Sequence, residues 1–210
     1  MTLPAPLLFI ADLDEAGTNI LSILHGALSG GCRWVLLRGK NSDAAALLAT
    51  AKHAKRACTD YSAKLFISGD VALARSIKAD GLHLPSDATP HKFSIPGMLI
   101  GQSCHNEAEM RRAESSGMNY VSLSPIFTTS SKPGYGPALG LEKLSALAKK
   151  TTLPVVALGG ISVQNIGGCL AAGAQAVAVM GGILRTAQPK SQTEAYLRAV
   201  KNVETGAGKR

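Results

Sequence analysis

The chain is 210 residues long, 46% hydrophobic but only 4% aromatic, and its 22 Lys and Arg outnumber 14 Asp and Glu for a formal charge of +8. That length and apolar content exclude a disordered chain and suit one domain with a substantial core. No run approaches the roughly 18 apolar residues of a membrane span, and the basic residues lack the dense stripe or stacking aromatics of a nucleic-acid surface.

The first short apolar run, Leu7–Asp12, predicts a strand, and Asn19–Ser29 follows with Ile20, Leu21, Ile23, Leu24 and Leu28 on one helical face. Trp34–Arg38 predicts a second strand and Asp43–Ala57 a helix, with Ser42 as its N-cap. Strand Lys64–Ser68, helix Val71–Ala79 and strand Gly81–Leu84 continue the alternation. Asp87–Gly97 interrupts it, because Pro90 and Pro96 argue against a full helix. Strand Met98–Ser103 then leads to helix Glu107–Ser116, opened by an Asn106/Glu109 capping box. Strand Tyr120–Pro125, helix Leu141–Lys150 and strand Pro154–Leu158 come next. Helix Val163–Ala172, with Ser162 as N-cap, strand Ala176–Met180 and helix Gln192–Val203 complete the pattern.

Continuous apolar strands joined by helices imply a parallel sheet covered on its outer face. Eight such units in this length favour a single-domain (β/α)8 TIM barrel over residues 1–203, rather than an open doubly wound sheet. The polar, Gly-containing Glu204–Arg210 is expected to fray. Cys32, Cys58, Cys104 and Cys169 form no CxxC pair and read as reduced thiols. With no basic leader at Met1-Thr2-Leu3-Pro4, a cytoplasmic protein is expected.

In this barrel the active site gathers at the strand C-termini. Those ends carry Arg38 and Lys40, Gly69 and Asp70, Ser86 and Asp87, Ser103 and His105, then Thr129, Ser131 and Lys132. Two glycine turns, Gly159-Gly160 and Gly181-Gly182, end strands seven and eight, the usual phosphate position. Glycine lets a backbone approach a ligand closely and offer its N–H groups to phosphate oxygens; either pair could also be a plain tight turn. The hydroxyl-rich loop Pro125–Pro137 suits a lid over a polar ligand. A small anionic substrate accounts for the positive charge without nucleic acid or membrane as partner. His83 lies inside a predicted strand and reads as an interior histidine, and Cys104 and His105, as strand neighbours, point to opposite faces.

Arg38-Gly39-Lys40, Leu65-Phe66-Ile67-Ser68-Gly69, Ala79-Asp80-Gly81-Leu82-His83-Leu84, Ile100-Gly101-Gln102-Ser103-Cys104-His105, Pro125 to Lys132 and the two glycine turns resemble, in order, the thiamin phosphate synthase/TenI family. The resemblance runs from about Trp34 to Leu184 and implies a barrel that binds a phosphorylated thiazole, a thiamin precursor. In the synthase branch a pyrimidine pyrophosphate joins thiazole phosphate with magnesium. The TenI branch instead isomerises thiazole carboxylate phosphate without a metal.

The sequence departs from the synthase pattern at three places. The synthase Gln-Leu-Arg-Glu-Lys is here Leu36-Leu37-Arg38-Gly39-Lys40; the Asn-Asp after strand three is Ser68-Gly69; and Gly-Gln-Glu-Asp after strand four is Pro85-Ser86-Asp87-Ala88. Asp70 and Asp87 each stand one residue from the synthase's metal-binding aspartates, so they are weak alternatives for magnesium. The departures are similar to the TenI branch, whose catalytic histidine falls by motif on His105. Imidazole, with an ordinary pKa near 6.5, suits the proton shift. The expectation is therefore a metal-free thiazole tautomerase. His105 moves the proton with Ser103 as polar support, and Gly159, Gly160, Gly181 and Gly182 hold phosphate. Thr129, Ser131 and Lys132 close over the ligand, and Arg38 and Lys40 supply positive charge. The alternatives are a magnesium-dependent thiamin phosphate synthase, with Arg38, Lys40 and Lys132 on the pyrophosphate, and a non-catalytic barrel that binds a phosphorylated metabolite. The sequence is compatible with a homo-oligomer.

Overall fold

The computed structural model describes residues 2–88, 94–129 and 137–207. Eight parallel strands close into a barrel in sequence order, β1 (Leu7–Asp12), β2 (Trp34–Arg38), β3 (Lys64–Ser68), β4 (Gly81–Leu84), β5 (Leu99–Cys104), β6 (Tyr120–Leu123), β7 (Val155–Leu158) and β8 (Ala176–Val179). The seam is β1 on β8, with Leu7 opposite Val177 and Phe9 opposite Val179. The helices are α1 (Leu13–Ala16), α2 (Ile20–Ser29), α3 (Ala44–Asp60), α4 (Val71–Ser76), α5 (Glu107–Ser115), α6 (Gly140–Ala148), α7 (Ile166–Ala171), α8 (Gly181–Leu184) and α9 (Pro189–Ala207). The expected closed (β/α)8 barrel is what forms. No helix among the described residues is long and apolar enough to cross a membrane.

Several boundaries differ from those expected. Asp43, not Ser42, caps α3, accepting the N–H groups of Ala45 and Ala46 at 3.0 Å each. Ser42 instead donates to Asp14, tying the loop after β2 to helix α1. Helix α7 starts at Ile166 rather than Val163, because Asn165 Oδ1 accepts the Ser162 N–H at 2.8 Å and folds the segment into a turn. Helix α4 stops at Ser76, and Lys78 adopts a left-handed φ of 52° where periodicity alone would continue the helix. Helix α9 runs to Ala207, past the Val203 end expected, and 208–210 lie outside the described residues.

Alternate strand residues face two separate cores, as a covered parallel barrel requires. One set packs under the helices. The other fills the barrel: Leu8, Ile10, Trp34, Leu36, Phe66, Tyr120, Val156, Ala176 and Ala178. At its floor three rings meet edge to face or tilted, Trp34 lying 5.5 Å from Phe66 and 5.1 Å from Tyr120 between centroids. Such rings fit because two strands contribute no side chain there. A Cβ on Gly81 would lie 2.4 Å from the Phe66 ring, and one on Gly101 2.1 Å from Tyr120. Truncating a buried ring of this size to Ala costs about 3–5 kcal/mol. The floor is therefore both filled and strongly stabilising, and the open space lies at the opposite end.

Candidate active site

At the strand C-termini a cavity of about 300 Å³ opens between the ends of β1, β2, β6, β7 and β8. Gly159, Gly160, Gly181 and Gly182 line it together with Arg38, Ser124, Thr128, Thr129 and Arg185. All four glycines named from sequence thus converge, although they derive from two turns separated by a helix.

Packing explains why glycine is needed. Gly160 has a φ of 65°, and a Cβ there would sit 2.5 Å from the Thr128 carbonyl oxygen; a Cβ on Gly159 would be 2.9 Å from Pro125 Cα. The loop after β6 is strapped over this turn by Ile126 N–H to Leu158 O at 2.9 Å and Phe127 N–H to Gly159 O at 3.0 Å. A Cβ on Gly182 would meet the Tyr196 hydroxyl at 2.2 Å. The first glycine turn therefore packs backbone against the loop after β6 and the second packs against the Tyr196 side chain, and the same lack of side chains leaves main chain facing the cavity.

Arg38 lines the cavity with its Nε 3.0 Å from Asp12 Oδ2, and the N–H is not aimed at that oxygen, so the contact is ionic rather than a directed hydrogen bond. Asp12 is buried at the end of β1, and its Oδ1 accepts the Asp14 N–H at 3.1 Å. Sequence reading missed Asp12, whose signal is a carboxylate closing an apolar strand. It also missed Arg185, the first cation after the second glycine turn, which lines the cavity and holds Glu15 Oε1 at 2.7 Å. Lys40 is exposed and does not line the cavity. Thr129 does, whereas Ser131 and Lys132 lie outside the described residues.

His105 is half-buried and held through both its backbone and its ring. Its backbone N–H donates to Glu109 Oε2 at 2.7 Å, so the capping box reaches one residue further back than Asn106. Its Nδ1 lies 2.7 Å from the Ser124 carbonyl oxygen and 3.3 Å from Ser124 Oγ. A carbonyl only accepts, so Nδ1 carries hydrogen and, in the neutral ring, Nε2 carries the lone pair. Ser103, expected to support His105, instead bonds His83 Nε2 at 3.0 Å, and the His105 ring rests on Ser124, just past the end of β6. Ser124 lines the cavity and His105 stands behind it. Burial pushes the Cys104 thiol up to about 12, which removes it as a nucleophile.

The two aspartates offered for magnesium sit elsewhere. Asp70 caps α4, its Oδ1 accepting the Leu73 N–H at 2.8 Å, and Asp87 is exposed in the turn after β4. Neither lines the cavity, and among the described residues no three His, Cys, Asp or Glu side chains gather as metal ligands. Magnesium is usually held by one or two carboxylates with waters and substrate phosphates. The described donor set offers no such carboxylate to a ligand in this cavity.

The chain is similar to proteins of thiamine biosynthesis. It is 36% identical over 196 residues to a "Putative thiamine-phosphate synthase" of Geobacter sulfurreducens, covering 91% of this chain and 92% of that protein. It is 36% identical over 190 residues to a "Thiamine-phosphate synthase" of Thermosynechococcus vestitus, of which it spans only 54%. A thiamine phosphate pyrophosphorylase from Pyrococcus furiosus superposes with a TM-score of 0.84 at 25% identity, over 94% of this chain and 96% of that one. The family model described as thiamine monophosphate synthase matches residues 7–183, from the first barrel strand through the second glycine turn. With that stretch spanning every strand of the barrel and both turns of its cavity, the chain belongs to the thiamine monophosphate synthase (TMP-TENI) family.

Proposed function

We propose that the protein is a TenI-like thiazole tautomerase acting on thiazole carboxylate phosphate. The observation that carries this reading is the Nδ1–H of His105 on the carbonyl of Ser124, a residue that lines the cavity, which puts the neutral ring's lone pair on Nε2. Backbone N–H groups at Gly159, Gly160, Gly181 and Gly182 take the phosphate, with Thr129 and Arg185 beside it. Arg38, held in place by its ion pair with Asp12, takes the carboxylate. His105 Nε2 removes the proton from the ring carbon, the C–H electron pair shifts through the conjugated system, and the same nitrogen returns the proton at the far end. No atom is gained or lost. The Ser124 carbonyl keeps its hydrogen bond to Nδ1 in both charge states, so the ring holds its orientation while the proton moves. Ser131 and Lys132 keep the closing role assigned from sequence.

The test is proton exchange and isomer interconversion of thiazole carboxylate phosphate, followed by NMR in D2O. His105→Asn places an amide N–H near the Nδ1 position but has nothing at Nε2, so turnover is expected to fall about 10²–10⁴-fold with the fold retained. Unchanged turnover in that variant refutes the assignment. A second reading, synthase activity, is favoured by the printed names of the relatives. Arg38, Lys40 and Lys132 would then hold the pyrophosphate. Pyrophosphate release from a pyrimidine pyrophosphate, thiazole phosphate and magnesium at an ordinary enzymatic rate would replace the tautomerase reading.

A further inference from the structure

Between the aromatic floor and the mouth lies a polar cluster that the proposed reaction does not use. His83 on β4 is 5% exposed; its Nδ1 is 2.9 Å from the Tyr120 hydroxyl on β6. Its Nε2 is 3.0 Å from Ser103 Oγ on β5 and 3.2 Å from Ser122 Oγ on β6. The imidazole stacks on the Tyr120 ring with centroids 5.5 Å apart and planes 30° apart. Burial pushes the His83 pKa down to about 4, so near neutral pH the ring has one N–H and one lone pair.

The hydrogen positions follow from counting donors. Tyr120 is 1% exposed, and burial raises its pKa, so it keeps its proton. Among the described residues its hydroxyl has one hydrogen-bond partner, His83 Nδ1. A buried O–H left without an acceptor is costly, whereas an oxygen that accepts nothing is tolerated. The phenol therefore donates to Nδ1, which places the imidazole hydrogen on Nε2. That N–H donates to Ser103 Oγ, with Ser122 Oγ as the longer second acceptor. Ser103 Oγ thus receives a hydrogen, and its own hydrogen has no protein acceptor among the described residues. Ser103 is half-buried on β5, two residues before His105 and so on the same face of the chain.

We propose that Tyr120 and His83 are positioning residues that fix the polarity of Ser103, so that it offers a hydrogen toward the mouth and selects a ligand presenting an acceptor atom there. A ring nitrogen or a carboxylate oxygen of the thiazole would meet that requirement. The inference rests on the mouth being the substrate site, but not on tautomerisation being the reaction.

The experiment is ¹⁵N NMR of histidine-labelled protein, with the His83 signals assigned by their loss in His83→Gln. The expected result is protonated-type Nε2 and lone-pair-type Nδ1 between pH 6 and 8, with Nε2 shifting when thiazole phosphate is added. The opposite tautomer in the wild-type protein overturns the proposal whether or not any variant folds. A companion measurement compares affinities for thiazole phosphate. The Gln side-chain amide can reach the Nε2 position and donate to Ser103, whereas that of Asn falls short. His83→Gln is therefore expected within about threefold of wild type and His83→Asn about tenfold weaker, the affinity of about one charge-neutral hydrogen bond. Equal affinities in the two variants also overturn it. Failure of the wild-type protein to bind thiazole phosphate at all would refute the proposed function instead, and the tautomer result would stand apart from it.

Discussion

Gly160→Ala tests how the glycine turn builds the cavity. Two costs apply. Gly160 has a φ of 65°, where a side-chain-bearing residue loses about 1–2 kcal/mol. Its new Cβ would also lie 2.5 Å from the Thr128 carbonyl oxygen and 2.7 Å from Phe127 Cβ, a contact with backbone rather than with a movable side-chain tip. Overpacking of that kind costs typically about 1–3 kcal/mol. The total is about 2–5 kcal/mol, and at roughly 2–4 °C per kcal/mol for a chain of this size the melting temperature should fall by about 4–20 °C. Gly117→Ala provides the control, because Gly117 also has a left-handed φ, 78°, with nothing within 4 Å of its Cβ position. It should lose only the first part, about 2–8 °C. If the loop of residues 127–129 instead moves aside, the stability loss shrinks while thiazole phosphate affinity falls, because Thr128 and Thr129 line the cavity. Calorimetry and titration of both variants separate these routes. A Gly160→Ala protein with no more destabilisation than Gly117→Ala and unchanged affinity would refute the packing argument.

Arg185→Gln should weaken thiazole phosphate about tenfold and leave the unphosphorylated thiazole alcohol unchanged by calorimetric titration, the low end for a charge-assisted hydrogen bond at a half-exposed side chain. Stability should depend on pH through His83. Its folded pKa, about 4, lies below the ordinary value near 6.5, so the unfolded chain binds more protons between those limits. Stability should therefore fall as pH drops from about 6.5 toward 4, by about 2–3 kcal/mol from this group, and urea melts of His83→Gln should lack that component. Asp70→Ala should cost about 1 kcal/mol by loss of the α4 cap and leave turnover in the proposed tautomerase assay unchanged; a turnover loss would place Asp70 in the site after all.

Strand position was legible wherever both faces of a segment are apolar. Leu7–Asp12, Trp34–Arg38, Lys64–Ser68 and Gly81–Leu84 begin and end where the apolar pattern puts them. The later strands shift by a residue or two because their ends are set by hydrogen bonds from adjoining loops, such as Ser124 N–H to Cys104 O at 3.1 Å. Within the site, the glycine pairs were legible because a backbone requirement leaves a mark in composition. Side-chain partnerships left none. Glu15 and Arg185 are 170 positions apart and become neighbours only at the β1–β8 seam. His105 rests on Ser124 because strands β5 and β6 adjoin, with Cys104 opposite Leu123, a register that alternation along one strand does not disclose. Asp12 was passed over because a single carboxylate after an apolar run reads as a strand end, and its ion pair with Arg38 needs the β1–β2 register to bring the two opposite each other.

The trio of Trp34, Phe66 and Tyr120, lodged against Gly81 and Gly101, stoppers one end of the barrel and leaves a chamber that opens at the other. Those rings pack against one another across the far end, so among the described residues a ligand held at the glycine rim departs on the side it entered. Substrate arrival and product escape then compete for one threshold, and any segment that screens the mouth slows both alike. Arg185, which lines the cavity and pairs with Glu15 beside the β1–β8 seam, stands at that threshold, where it can influence the pace of traffic as well as the strength of binding.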